Sequence, residues 1–239
     1  MSEEPSLSII LPVYNEEKVI AKVISDLYEQ VVKVYKGNKG KAEIIVAEDG
    51  STDNTKQVLA DVHKNIPFVL VSGKERKGYN KANKDALALA KSDLVFLSDA
   101  GGGHDPQDFF RMLPHLEHYD VVSGIKQERK DPWQRIVMSK VYNAYISTLF
   151  LHRFRDIDAG FKIYKRKVLD AVLPECNDFK ECISTEILLR TYAKGFKIKE
   201  IPVTHIAREI LAQRTFSFKK LPKLVGGIFV DVLKLRFKV

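Results

Sequence analysis

Two apolar runs in this chain each end in a carboxylate and then turn on glycine. Ile44 to Ala47 leads into Glu48, Asp49 and Gly50, and Leu94 to Leu97 leads into Ser98, Asp99 and a triple glycine at 101–103. In an open α/β sheet the carboxyl ends of the strands border the crevice where ligands bind, so both acids are aimed at one site. Asp49 can accept a hydrogen bond from a ring N–H, which uracil and guanine both present, and Tyr14 offers a ring on which a base can stack. The loop that holds Tyr14 contains no glycine. Its backbone therefore cannot approach a pyrophosphate as a dinucleotide fingerprint requires.

Hydrophobic periodicity supplies the elements that carry these groups. Leu7 to Leu11 is a buried strand, and Glu17 to Val34 places Ile20, Val23, Ile24, Leu27, Tyr28 and Val31 at the spacing of a core-facing helix. The alternation recurs as strand 44–47 with helix 53–62 capped by Ser51, strand 68–71 with helix 80–91, and strand 94–97 with helix 106–117. Repeated β-α units give a mostly parallel sheet with helices on both faces. After Val121 to Ser123 the pattern loosens into a helix near 133–153, a strand near 161–164, a helix near 184–194 and a strand at 197–203. From Ser217 onward, apolar residues every three or four positions alternate with lysine and arginine, which reads as a basic amphipathic helix. Such a helix either lies in an anionic membrane interface or packs its apolar face on the domain.

The chain has 239 residues and a formal charge of +8, which suits a polyanionic partner. No basic stripe interleaved with aromatics supports nucleic-acid binding. Cys176 and Cys182 lack metal-ligand spacing and read as reduced thiols of a cytosolic protein. The uncharged stretch Val141 to Leu151 is about half of the roughly 20 residues that a spanning helix needs, and no signal sequence opens the chain. The expectation is a cytoplasmic protein, peripheral on the inner face of a membrane.

The run from Leu7 through Pro12, Tyr14, Asn15 and Glu16, then Glu48-Asp49-Gly50-Ser51-Thr52-Asp53 and an acidic motif after a later strand, resembles the family-2 glycosyltransferases of the A-type (GT-A, Rossmann-like) fold. Arg76-Lys77-Gly78, His104-Asp105-Pro106, Gly124-Ile125-Lys126, the segment from Arg155 to Lys162, and Gly195 to Val203 are most similar to the dolichol-phosphate mannose synthases and related polyprenyl-phosphate hexosyltransferases. The resemblance implies an enzyme that moves a hexose from a nucleotide sugar, of the GDP-mannose or UDP-glucose type, to a polyprenyl or dolichyl phosphate with inversion. The chain reads as one glycosyltransferase domain at 1–215 with the amphipathic helix at 216–239, which is either part of the same domain or a membrane-interface element. Pro12, Tyr14, Glu16, Asp49 and Lys77 are expected to serve the donor, Asp99 to face its diphosphate, and Lys126 and Arg135 to grip the acceptor phosphate. Arg214, with Arg208, lies in the stretch that resembles the one closing over the donor phosphates.

Such a reaction needs little proton chemistry, because a phosphate monoester with a second pKa of about 6 is already largely anionic at neutral pH. It needs charge stabilisation on the departing diphosphate and orientation of the attacking oxygen. The resemblance implies Mg²⁺ or Mn²⁺ at an Asp-x-Asp motif, and here the second acid is Gly101. Three readings stand open: a metal site rebuilt around Asp99, with Asp105 or His104 as added ligands; a site neutralised by Lys or Arg alone; and a subunit that binds the donor without turnover. A saccharide or protein hydroxyl as acceptor would instead require a base, for which Glu186 and Asp158 are the candidates.

Overall fold

The computed structural model describes residues 6–38, 40–73, 76–127, 132–179, 182–206 and 221–239. Seven strands, β1 (Leu7–Val13), β2 (Ala42–Glu48), β3 (Val69–Ser72), β4 (Leu94–Leu97), β5 (Val121–Lys126), β6 (Lys162–Lys165) and β7 (Ile198–Val203), form one sheet in the order β3-β2-β1-β4-β6-β5-β7. β6 runs antiparallel to both neighbours, β4 and β5, and the other pairings are parallel. The helices are α1 (Ile20–Leu27), α2 (Lys33–Gly37), α3 (Thr55–His63), α4 (Tyr79–Leu89), α5 (Asp108–Met112), α6 (Trp133–Phe150), α7 (Arg166–Val172), α8 (Ile183–Ala193) and α9 (Leu221–Arg236).

Strand side chains alternate between two cores, as a pleat with period two requires. Ile9, Leu11, Ile44, Val46 and Phe96 meet Ile20, Ile24 and Leu27 of α1, Leu59 of α3 and Phe109 of α5 on one face. Ile10, Ile45, Val95 and Leu97 meet Leu87 of α4, Ile146 of α6, Leu169 of α7 and Leu188 of α8 on the other. Both faces are covered, which is why the central strands read as continuous apolar runs.

Several expected boundaries moved. The helix expected from Glu17 begins at Ile20 and continues through a π-helical turn at Tyr28–Val32, in which Val31 and Val32 are both buried. Ser51 does not cap α3: its Oγ accepts the Asn15 N–H at 3.0 Å, while Asp53 accepts the Thr55 N–H at 3.0 Å. The helix expected over 106–117 is α5 followed by a 3₁₀ turn at Leu113–Glu117, because Pro114 supplies no N–H. α6 stops at Phe150, with Leu151 in the left-handed conformation and the His152 N–H returning to Ser147 O at 3.2 Å. α7 was not anticipated. Its seven residues directly follow β6 and are too short to show a helical period.

Candidate active site

Polar side chains stitch the β1 and β2 ends together. Asn15 takes a positive φ of 53°, and its Oδ1 accepts the Thr52 N–H at 2.8 Å. Thr55 Oγ1 accepts the Glu16 N–H at 2.9 Å, and Glu17 Oε2 accepts the Asn54 N–H at 2.8 Å. These reciprocal bonds explain the runs Asn15-Glu16-Glu17 and Ser51-Thr52-Asp53: each loop satisfies the other's backbone donors. Glu48, buried at the end of β2, accepts the Ser51 N–H and, at 3.0 Å, the Ser72 hydroxyl. Its part in shaping the turn went unrecognised in the sequence, where it reads only as the acid that precedes Asp49.

Asp49 is buried, and its two carboxylate oxygens accept the backbone N–H groups of Lys77 at 2.7 Å and Gly78 at 3.0 Å. Gly78 has a φ of +90°, a conformation that favours glycine. Asp49 therefore holds the loop that opens α4, and that loop carries Arg76, whose guanidinium lies over the Tyr14 ring at 4.1 Å. Tyr14, Arg76 and Asp49 are thus brought together. Lys77 joins them through its backbone; its ammonium pairs with Asp85 at 2.9 Å. Pro12 is half-buried in β1 opposite Ala47, and Glu16 is half-buried at the mouth of the same loop.

Asp99 lies just past β4, with Ser98 tied to β1 through Ile10 O at 3.0 Å. The Gly101 N–H donates to Asp99 Oδ1 at 3.1 Å, and Gly102 takes a φ of +68°. The turn ends on His104, which bridges to His205 and stacks on Phe161 with ring centroids 4.8 Å apart. Burial, helped by the charges of Lys126 and His205, brings its pKa down to about 3, so the imidazole is neutral. Asp105 accepts the Gln107 N–H at 3.0 Å in a local turn.

Lys126 ends β5 opposite Val203, and Arg135 sits in the first turn of α6; both are half-buried. Gly124 is fixed by close approach: a Cβ there would lie 2.8 Å from Val203 Cγ2. Arg208, Arg214 and Lys130 lie outside the described residues. Glu186 is fully buried and accepts the N–H groups of Asp178 and Phe179 and the Arg190 guanidinium, each at 3.1 Å. Asp158 keeps solvent contact and accepts the Thr185 hydroxyl at 3.3 Å, while the surrounding protein raises its carboxyl above the usual range.

Among the described residues no three His, Cys, Asp or Glu side chains cluster as metal ligands. Asp99 is the carboxylate this turn offers, with glycine at 101 and 103, and His104 is buried against Phe161. The residues present therefore do not form a metal site by themselves. They fit a divalent ion only as partners to phosphate oxygens that arrive with a ligand.

Strand-end carboxylates, a ring stacked by arginine and a mostly parallel sheet define an α/β protein with a candidate ligand site at the carboxyl ends of its strands. The profile of glycosyl transferase family 2 matches residues 8–173, and the chain belongs to that family. An undecaprenyl-phosphate 4-deoxy-4-formamido-L-arabinose transferase from Proteus mirabilis (strain HI4320) is 30% identical over 223 residues, which are 92% of this chain. The chain spans 65% of that relative's length. Glucosyl-3-phosphoglycerate synthase from Mycobacterium tuberculosis, solved with Mn²⁺, uridine diphosphate and phosphoglyceric acid, superposes with a TM-score of 0.73 over 97% of this chain and 78% of its own, at 18% identity. The same enzyme with Mn²⁺, UDP-glucose and phosphoglyceric acid gives a TM-score of 0.72 over 97% and 80%, at 16% identity. This likeness shows the GT-A fold.

Proposed function

We propose that this protein is an inverting glycosyltransferase that moves a hexose from a GDP- or UDP-linked donor to a polyprenyl phosphate. An acceptor phosphate oxygen forms the new bond at the anomeric carbon as the bond to the nucleoside diphosphate breaks on the opposite face. Tyr14, Arg76 and Asp49, with Pro12, Glu16 and the Lys77 backbone, would hold the nucleoside. Asp99 and Arg214 would serve the leaving diphosphate, and Lys126 and Arg135 the acceptor phosphate. A Mg²⁺ or Mn²⁺ held by Asp99 and the donor's phosphates would supply further neutralisation of the leaving group.

The observation that carries the acceptor class is the state of Glu186. A hydroxyl acceptor needs a base, and the carboxylate of Glu186 is already spent on two amides and Arg190. The polyprenyl-phosphate relative supports the same reading. A second reading, transfer to a hydroxyl, is favoured by Asp158, whose raised pKa and solvent contact suit a general base. A third, donor binding without turnover, draws on Gly101 in place of a second acid.

The test incubates the protein with radiolabelled GDP-mannose or UDP-glucose, with and without polyprenyl phosphate in detergent, in Mn²⁺ or in EDTA. Label in the organic phase only when lipid is present is the expected result. EDTA is expected to cut the rate, and full activity in EDTA would assign the neutralisation to side chains alone. Asp158→Asn should keep lipid-dependent transfer; a loss of about 10²-fold or more would install Asp158 as a base and favour a hydroxyl acceptor. Donor binding with no transfer to any acceptor would leave the binding-only reading.

Membrane contact is proposed on two exposed apolar faces. α6 presents Trp133, Val137 and Val141 at i, i+4 and i+8, and α9 presents Val230 and Leu233, followed by Phe237. α9 also packs on α6, with Tyr145 stacked on Phe229 at 4.3 Å and Arg236 Nε donating to Leu149 O at 2.8 Å. Among the described residues no helix is long and apolar enough to cross a membrane.

A further inference from the structure

Lys162, the first residue of β6, has a side chain with no solvent contact. Its Nζ donates to Ile157 O at 2.9 Å, to Ala159 O, and to Ser184 Oγ at 2.6 Å. An ammonium carries three N–H donors, so every donor has an acceptor. An apolar side chain would fill the same space without the cost of burying a charge, so the cation has work beyond packing.

That work is readable from what the three acceptors belong to. Ile157 and Ala159 belong to the turn that leads into Gly160, where a Cβ would make van der Waals contact with Asp99 Cβ at 3.5 Å. Ser184 opens α8 beside Thr185, the residue that holds Asp158. The turn is secured at its start by Glu200 of β7, which accepts the N–H groups of Arg155 and Asp156 at 3.1 Å. Lys162 ties its other end, next to Gly160 and so near Asp99.

We infer that Lys162 is a positioning residue for glycosyl transfer, its ammonium clamping the 157–160 turn between Asp99 and the start of α8. The inference rests on the transfer reading above. The proposed nucleoside half of the site, on β1, β2 and the start of α4, lies two to three strands away from β6, so the clamp acts on the leaving-group half. The charged groups that face Lys162 are Asp156 and Asp158 on the turn, Glu200 on β7 and Lys126 on β5, and the neutral imidazole of His104 on the glycine turn is the other titratable group near it. Burial, the largest influence, brings its pKa down to about 8. Above that pH the amine lacks one of the three donors.

Lys162→Met and Lys162→Arg are compared with the unmodified protein in two readouts. Amide hydrogen exchange is followed over 155–161 and 98–103, which requires no activity. kcat, donor Kd and the pH profile of kcat/KM are taken from the lipid-transfer assay. Lys162→Met should accelerate exchange in both segments and lower kcat by about tenfold to a hundredfold with donor Kd nearly unchanged. The unmodified protein should lose kcat/KM above about pH 8, and Lys162→Arg, charged at every pH, should move that limb upward. Unchanged exchange in Lys162→Met, or the same alkaline limb in Lys162→Arg, overturns the assignment. Should Lys162→Met not fold, Lys162→Arg decides by its profile. A protein that transfers nothing sinks the reading of function, and the exchange data still judge the clamp.

Discussion

At the scale of single residues, the side chains with the plainest chemistry are also the most engaged. Asp49 was expected to meet a base, and it spends both oxygens on the Arg76–Gly78 loop, so on the proposed reading it would position that loop as well as meet the nucleoside. Tyr14→Ala should weaken nucleotide-sugar binding by about 1–3 kcal/mol, the worth of one base stack, as read by calorimetric titration; equal affinity would remove Tyr14 from the pocket. His104 gives a stability prediction. Its folded pKa of about 3 lies below the unfolded value near 6.5, so the folded state binds fewer protons between those pH values. Stability should therefore fall as pH drops from 6.5 toward 3, by up to about 1.4 kcal/mol per pH unit. His104→Phe, measured by urea unfolding at several pH values, should show a shallower decline. Glu186→Gln removes the charge that pairs with Arg190 and should cost about 1–3 kcal/mol while lipid-dependent transfer per folded molecule persists. Loss of transfer from a well-folded variant would return Glu186 to the role of base.

At the scale of elements, the β-α units of the first half were legible because their helices bury one stripe and their strands bury both faces. Ile20, Val23, Ile24 and Leu27 carry that signal in α1, and Leu94 to Leu97 carry it in β4. The second half was less legible. β6 reverses against its neighbours, which no local pattern encodes, and α7 is too short for periodicity. Gly124 shows what β5 and β7 require of each other. Gly124→Val should destabilise by about 1–3 kcal/mol through overpacking against Val203 and Phe161 O, as measured by denaturant unfolding. A neutral result would mean that the two strands can part.

At the scale of the whole molecule, α6 and α9 form a packed pair whose outward sides are apolar and basic. The sequence left two uses open for the terminal helix, and the structure contains both faces: Val232 and Leu235 are fully buried, while Val230, Leu233 and Phe237 face solvent. Trp133→Ser combined with Val137→Ser should reduce co-sedimentation with anionic vesicles at low salt and leave detergent-based transfer intact; unaltered vesicle binding would move the contact elsewhere. By itself the sequence determined the sheet's helix-covered character, the two acidic strand ends and the family, because burial periodicity and the loops after strands are local. The tertiary structure alone decided that Asp49 anchors the Arg76 loop, that Glu186 is consumed by Arg190, and that Lys162 ties the 157–159 turn to Ser184. Each of those facts depends on residues far apart in sequence meeting in a dry interior, where an unpartnered donor or charge is costly and every one must find its acceptor.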